Sequence, residues 1–425
     1  LIIYPESEQS MKNLFIATFF LFGFYGVSQT LLKPDRVFDG TKMHENWAVL
    51  VQGNTIALVG PEDRMAIPKR TKIIDLPGTT LLPGLIEGHS HLLLHPYNET
   101  SWNDQVLKES PVERSIRGVV HAKNSLMAGI TTMRDLGSEG AGYSDVYLKK
   151  SIDAGIVPGP RLLVAGPAIV ATGAYGPKGF HDGVTVPLGA EAASGNEVIT
   201  TVRRQLGNGA DFIKIYADYR WRSGEASNPT FSLQEIQLMN ETAKSAGRYI
   251  VAHASTPEGM RRAILGGAET IEHGDHGTLE VFQLMKEKGV VLCPTLAAGD
   301  AISQYNGWQK GKDPEPDRIV QKRTSFQLAL QAGVTIAFGG DVGVFSHGDN
   351  VRELQMMVDY GMEPMAVLQA ATSVNAQVFH LDALGKLEKG FLADIIAVEG
   401  NPATDISKLR SVQFVMKDGI VYKRP

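Results

Sequence analysis

A single cysteine, Cys293, stands in 425 residues. No disulfide can therefore form within the chain, and no multi-cysteine zinc site is available. Lone cysteines are usually buried as small hydrophobes, and Cys293 is read as one rather than as a nucleophile. No block of five like charges occurs and the formal net charge is only −5, so the footprint that nucleic acid requires is missing. No apolar run reaches the roughly 20 residues of a membrane span. No glycine-rich dinucleotide fingerprint opens a strand–helix unit, which argues against a doubly wound sheet. Glycine, proline and apolar content are ordinary, and that excludes disorder, collagen and coiled coil.

What is present begins with a targeting pattern. Met11-Lys12-Asn13 precedes an apolar core at 14–24, followed by the small residues Gly26 and Ser28. This order is that of a secretory signal, with cleavage expected after Ser28 and a secreted or periplasmic address. Residues 1–10 lie upstream of Met11 and are read as upstream sequence, leaving 1–28 outside the folded protein.

Short β-like runs at 46–51, 55–59 and 71–76 are matched near the other end by 393–399, 412–417 and 420–422. Neither end can bury a core alone, so the segments 29–80 and 385–425 are expected to pair into one small β-sandwich. The middle, 81–384, reads differently. Apolar runs at 79–86, 130–136, 161–170, 212–216, 249–253, 270–273, 290–296 and 334–339 alternate with amphipathic stretches such as 233–246 and 257–265. Eight such units fit a (β/α)₈ barrel, an α/β fold with a buried parallel sheet. The Gly- and Pro-rich segment 171–194 is expected to be a functional loop after the third strand.

In such a barrel the carboxyl ends of the strands face the active site. Those ends carry His89 and His91 (Gly88-His89-Ser90-His91), Lys214, His253, His273 and Asp341. Spacing of two puts His89 and His91 on one side of an extended strand. The intervals fit one unit from Lys214 to His253 and from His253 to His273, and two from His273 to Asp341. Taken singly, each has an ordinary explanation: a Gly-Gly-Asp is a turn, and an apolar-flanked lysine snorkels. The ordered set points to a metal centre of nitrogen and oxygen donors, suiting zinc, with manganese, cobalt or iron as competitors. A charged Lys214 repels a dication, but burial and nearby cations favour the neutral amine. That amine can take up carbon dioxide as a carbamate and bridge two divalent ions, which together lower the pKa of a shared hydroxide.

The motif Pro83-Gly84-Leu85-Ile86-Glu87-Gly88-His89-Ser90-His91, with Lys214, His253, Ile271-Glu272-His273-Gly274 and Gly340-Asp341, resembles the amidohydrolase superfamily across about residues 31–425. It is most similar to the imidazolonepropionase-related branch that holds metal-dependent Xaa-Pro dipeptidases and ochratoxin-type amidases. Imidazolonepropionase itself fits poorly, because a mononuclear site needs no bridging lysine. The resemblance implies that His89, His91 and Asp341 bind one metal and His253 and His273 the other. It also implies that carboxylated Lys214 bridges them and that Asp341 is the catalytic proton shuttle. Glu87 replaces the family's usual Asp.

For substrate, Tyr216 shares the Lys214 face, and Arg220 and Arg222 on the strand exit are candidates for a C-terminal carboxylate. Trp221 either lines a pocket or covers the rim. His181 and His347 are further candidates, with the 347–350 loop alternatively supporting Asp341. The expected activity is hydrolysis of dipeptides or N-acyl amino acids to release a C-terminal amino acid. The alternative is a binuclear lactonase or phosphotriesterase. A non-catalytic scaffold would lack ligands, and none is missing. The partners expected are a small peptide-like substrate and further copies of the chain in a homo-oligomer.

Overall fold

The computed structural model of the chain describes residues 29–425, and the expected signal segment lies outside the described residues. Parallel strands pair in sequence order around a barrel. Leu85–Ser90 pairs with Ile130–Asp135, which pairs with Arg161–Val164. Ile169–Val170 pairs with Ile213–Tyr216, which leads through Ile250–Ala254 and Thr270–His273 to Val291–Cys293. Parallel bridges from Ile336 to Leu292 and from Val342 to Ser90 close the ring.

The helices form where local chemistry favours them. Leu233–Ser245 opens on a reciprocal capping box between Ser232 and Glu235 and buries Ile236, Met239, Asn240 and Ala243, one helical face. Pro257–Gly266 has proline in its first turn, the Thr256 side chain accepting from the Gly259 amide, and Gly267 at φ +91° ending it. Their buried faces and the strands share one core.

Three expected strands differ in the structure. The run 161–170 is divided into Arg161–Val164 and Ile169–Val170; Gly166 sits at φ +68° and Pro167 has no amide to donate to a ladder. The run 334–339 forms no strand and reaches the sheet through the Ile336 bridge and a hydrogen bond from the Gly88 amide to the Phe338 carbonyl. There the Asn375 side chain stands in for a strand neighbour, accepting from the Phe338 amide and donating to the Ile86 and Phe338 carbonyls. Gly339 is required beside it, since a Cβ would stand 2.5 Å from Cys293 Sγ and 2.7 Å from the His89 nitrogen. Cys293 is buried, as its solitude in the sequence implies.

The third difference lies at the junction of the two ends. Residues 79–83, read as the start of the barrel, belong to Lys72–Pro83, which pairs with Gln29–Phe38 and Ile395–Glu399 in the outer sheet. The barrel starts at Leu85. A Cβ on Gly84 would meet Thr131 Oγ1 at 2.1 Å, so glycine lets the chain pass from one sheet to the other. The outer sheet runs Ile420–Lys423, Val412–Lys417, Ile395–Glu399, Lys72–Pro83, Gln29–Phe38, Trp47–Gln52, Thr55–Pro61. Its core draws Leu32, Val49 and Leu81 from one end of the chain and Ile395, Phe414 and Met416 from the other. Gln29–Phe38 is a further strand, formed although Pro34 argues against one, and its register against Lys72–Pro83 shifts between Pro34 and Arg36. Among the described residues, no helix is long and apolar enough to cross a membrane.

Candidate active site

The strand ends converge. Ligand atoms of His89, His91 and Asp341 lie within 4.8 Å of one another. Asp341 Oδ1 stands 3.5 Å from His89 Nε2 and 3.3 Å from His91 Nε2. The far nitrogens of the rings are engaged: His89 Nδ1 lies 2.9 Å from Glu272 Oε2, His91 Nδ1 donates to the Gly137 carbonyl at 2.9 Å, and His273 Nδ1 is 2.7 Å from Thr295 Oγ1. Partners of this kind orient imidazoles and leave the opposite nitrogen for a metal. The His273 ring lies 5.0 Å from His89 and 4.5 Å from His253. His253 Nε2 is 3.7 Å from Asp218 Oδ1. The Asp218 carboxylate is held in turn by the Ser255 and Thr256 amides.

Lys214 is 1% exposed, with Nζ 5.5 Å from the Tyr216 ring centroid. Burial lowers its pKa, opposed by Glu272 and Asp341 and aided by Arg134. Burial and Lys214 together hold His253 down to about 3. His91 moves the other way: burial works against its charge, but the neighbouring Asp341 carboxylate pushes it up to about 9. For Asp341, burial is outweighed by His89 and His91, and its carboxyl is held at about 2.

Among the described residues, four of the seven non-glycine residues in the left-handed region, Glu139, His273, Thr295 and Asp341, lie at these strand ends. Backbone strain of this kind concentrates at functional sites. Behind the ligands, Glu272 also accepts from buried Arg134 at 2.7 Å. Glu87 accepts from the His89 and Gly340 amides and from Asn350, and so ties the first and last strand ends together.

The expected substrate residues divide. Tyr216 is in the site, stacked on His253 at 4.5 Å, but its hydroxyl faces Tyr175 at 3.3 Å and Glu139 at 3.4 Å. Arg220 reaches the rim, 5.6 Å from the Tyr219 ring, which packs against Tyr175 and His253. Trp221 is exposed beside it. Arg222 is not brought in: its side chain is 84% exposed and 3.7 Å from Glu225, because the exit loop lies in solvent from Arg220 onward. His181 is likewise exposed and accepts from Gly183 in its own loop. His347 faces away from the ligands. Its Nε2 donates to the Leu94 carbonyl at 3.1 Å and its ring stacks on His121 at 4.3 Å, so it braces the chain after His91. With Asn350 bound to Glu87, the 347–350 loop takes the supporting role.

Sequence reasoning passed over Glu139, Tyr175, Lys178 and Asp218. Glu139 follows the second strand just as the ligands follow theirs, and that position was the available signal. Tyr175 and Lys178 lie in the loop singled out by length and composition, but nothing in the loop's sequence marked either one.

The Amidohydrolase family profile matches residues 80–422. Ochratoxinase of Aspergillus niger is 31% identical over 422 aligned positions, spanning 89% of this chain and 83% of that protein. A Xaa-Pro dipeptidase solved with methionine in its active site superposes with a TM-score of 0.82 at 32% identity, covering 93% of this chain and 100% of that one. A prolidase complexed with N-methylphosphonate-L-proline reaches 0.81 at 27% identity, over 94% and 100%. With a buried histidine-rich candidate metal site at the matching strand ends, the chain belongs to the amidohydrolase family, a hydrolase acting on carbon–nitrogen bonds.

Proposed function

We propose that the chain cleaves the amide bond of dipeptides or N-acyl amino acids and releases the C-terminal amino acid. The observation that carries this reading is the buried Oδ1 of Asp341, which has no hydrogen-bond partner and faces the Nε2 atoms of His89 and His91. An unpaired buried carboxylate oxygen is costly, and a divalent cation relieves it. Imidazole and carboxylate donors suit zinc, with manganese, cobalt and iron as competitors. In this reading His89, His91 and Asp341 would hold one ion, His253 and His273 a second, and carboxylated Lys214 would join them. When bound, the ions lower the pKa of water and polarise a carbonyl.

The protein's own groups then act around that centre. Asp341 is ionised at neutral pH and accepts a proton at its carboxylate as the nucleophile forms. It passes that proton to the departing nitrogen. Glu87 and Glu272 keep the strand ends and the His89 ring in place. Lys178, on the 171–194 loop, donates to the Ala174 carbonyl at 3.1 Å, and burial and the Arg220 charge both lower its pKa. In this reading Lys178 and Arg220 would hold the carboxylate of the leaving amino acid. Ligands of the solved relatives, methionine and a proline derivative, support an amino-acid subsite. A secreted or periplasmic address, carried by residues 11–28, is part of the same proposal.

The test is a panel of dipeptides and N-acyl amino acids against esters, lactones and phosphotriesters, with and without chelator. Chelator-sensitive release of amino acids is expected. Amidating the substrate's C-terminus should lower kcat/KM by about tenfold or more, as loss of a charged hydrogen bond does. Arg220→Ala should narrow that gap. Lactone or phosphotriester turnover without amide cleavage would overturn the reading.

A further inference from the structure

Glu139 is 2% exposed and its backbone sits at φ +48°. Its two carboxylate oxygens are unequally used. Oε2 accepts from Trp102 Nε1 at 2.8 Å and from the Tyr175 hydroxyl at 3.0 Å. Oε1 has one long contact, the Tyr216 hydroxyl at 3.4 Å. An ionised carboxylate offers about four acceptor positions, so Oε1 has room for a further donor. The nearby cation does not fill it: buried Arg114 donates to the carbonyls of Leu93, Ser138 and Glu139 rather than to the Glu139 carboxylate.

The position of Oε1 matters as much as its vacancy for a donor. A Cβ built on Gly137 would stand 3.3 Å from Glu139 Oε1 and 3.7 Å from His91 Cε1, so the carboxylate and this histidine border the same glycine. Tyr216, on the other side, stacks on His253. The carboxylate is thus placed beside rings from both halves of the ligand set. A substrate carboxylate is repelled from such a place. The expected role of Tyr216 as a donor to that carboxylate is replaced, in this arrangement, by a hydroxyl directed at Glu139.

We propose that Glu139 receives the free amino terminus of the substrate, which makes dipeptides rather than N-acyl amino acids the substrate class. This rests on the amide-hydrolase reading above and narrows it. In a dipeptide the ammonium is borne on the carbon bonded to the scissile carbonyl, so it arrives beside the ligand histidines whenever that carbonyl does. Lys178 and Arg220 carry the opposite charge and, in the reading above, take the opposite end of the same molecule.

The experiment compares alanyl dipeptides with propionyl amides of the same leaving amino acids, two series that differ only by the ammonium. Wild-type metal-loaded enzyme should favour the alanyl series by tenfold or more in kcat/KM. Glu139→Gln should lower kcat/KM at least tenfold more for the alanyl than for the propionyl series, a ratio that a general loss of structure does not change. Equal turnover of the two series by wild type, which needs no variant, overturns the ammonium site and leaves amide hydrolysis standing. A wild-type preference that persists in Glu139→Gln overturns the assignment to Glu139. Cleavage of neither series overturns the amide-hydrolase reading and this inference with it.

Discussion

In the half of the site formed by His89, His91 and Asp341, a carboxylate oxygen stands 3.5 and 3.3 Å from two imidazole nitrogens. In the half formed by His253, His273 and Lys214, basic groups meet one another, and the carboxylate near His253, Asp218, is pinned by backbone amides. The protonation behaviour follows. His91 is pushed up to about 9 by Asp341 in spite of burial, whereas burial and its basic neighbours hold His273 well below the ordinary range. One half carries its anion in its own sequence. In the other, the carboxylate of Asp218 is already engaged by amides, and the carbamate proposed on Lys214 would supply a free one.

Removing the lysine is the sharpest way to break this comparison. Lys214→Ala should lower turnover by a factor on the order of 10³ or more. Bound metal should fall, and short carboxylic acids should restore part of both. Metal analysis decides it: a fully active wild-type enzyme with one tightly bound ion removes the binuclear reading.

The acidic half is probed next. Asp341→Asn keeps shape and removes basicity, so turnover should fall by roughly 10²–10⁴. Steady-state kinetics on metal-replete variant would identify another base if more than half of wild-type turnover survived.

Glu272 connects the halves, since it bonds His89 and precedes His273. Its loss also strands Arg134, which is fully buried. Glu272→Ala should destabilise the fold by about 3–5 kcal/mol, the cost of leaving a buried charge unpaired, and weaken metal affinity about 10–100-fold. Denaturant melts and metal titration read the two effects separately, and a variant as stable as wild type would show that Arg134 has found another partner.

The smallest effect sharpens the contrast at the mouth. Arg222→Ala should change kcat/KM by less than about twofold, because an exposed ion pair of this kind contributes little, while Arg220→Ala weakens free-acid substrates. A larger loss in Arg222→Ala than in Arg220→Ala would mean that the exit loop folds inward over bound substrate.

The strand-end cluster was legible because a barrel assigns strand ends to one face, and His89, His91, Lys214, His253, His273 and Asp341, the residues proposed to hold metal, each follow an apolar run. Substrate groups were not legible by the same rule. Arg220 and Arg222 are two residues apart in one exposed loop, yet one lies over the Tyr219 ring and the other against Glu225. His347 looked like a site histidine by its place after the last strand and proved to be stacked under the chain after His91.

Local pattern was enough for the helices capped at Ser232 and Thr256, for the barrel class, and for the pairing of the two chain ends, because caps, periodicity and uncovered apolar strands are properties of short segments. Three things depended on the folded chain. The long strand Lys72–Pro83 passes the Pro77-Gly78 signal because partners on both sides hold it. The eighth barrel position is completed by the side chain of Asn375, far along the sequence. Glu139, an ordinary acid in a glycine-rich stretch, becomes a buried carboxylate against Trp102, Tyr175 and Tyr216 only when three separate segments meet. Short-range signals record what a segment prefers; whether a polar group faces solvent, a brace or a substrate is set by neighbours that tertiary packing brings from elsewhere in the chain.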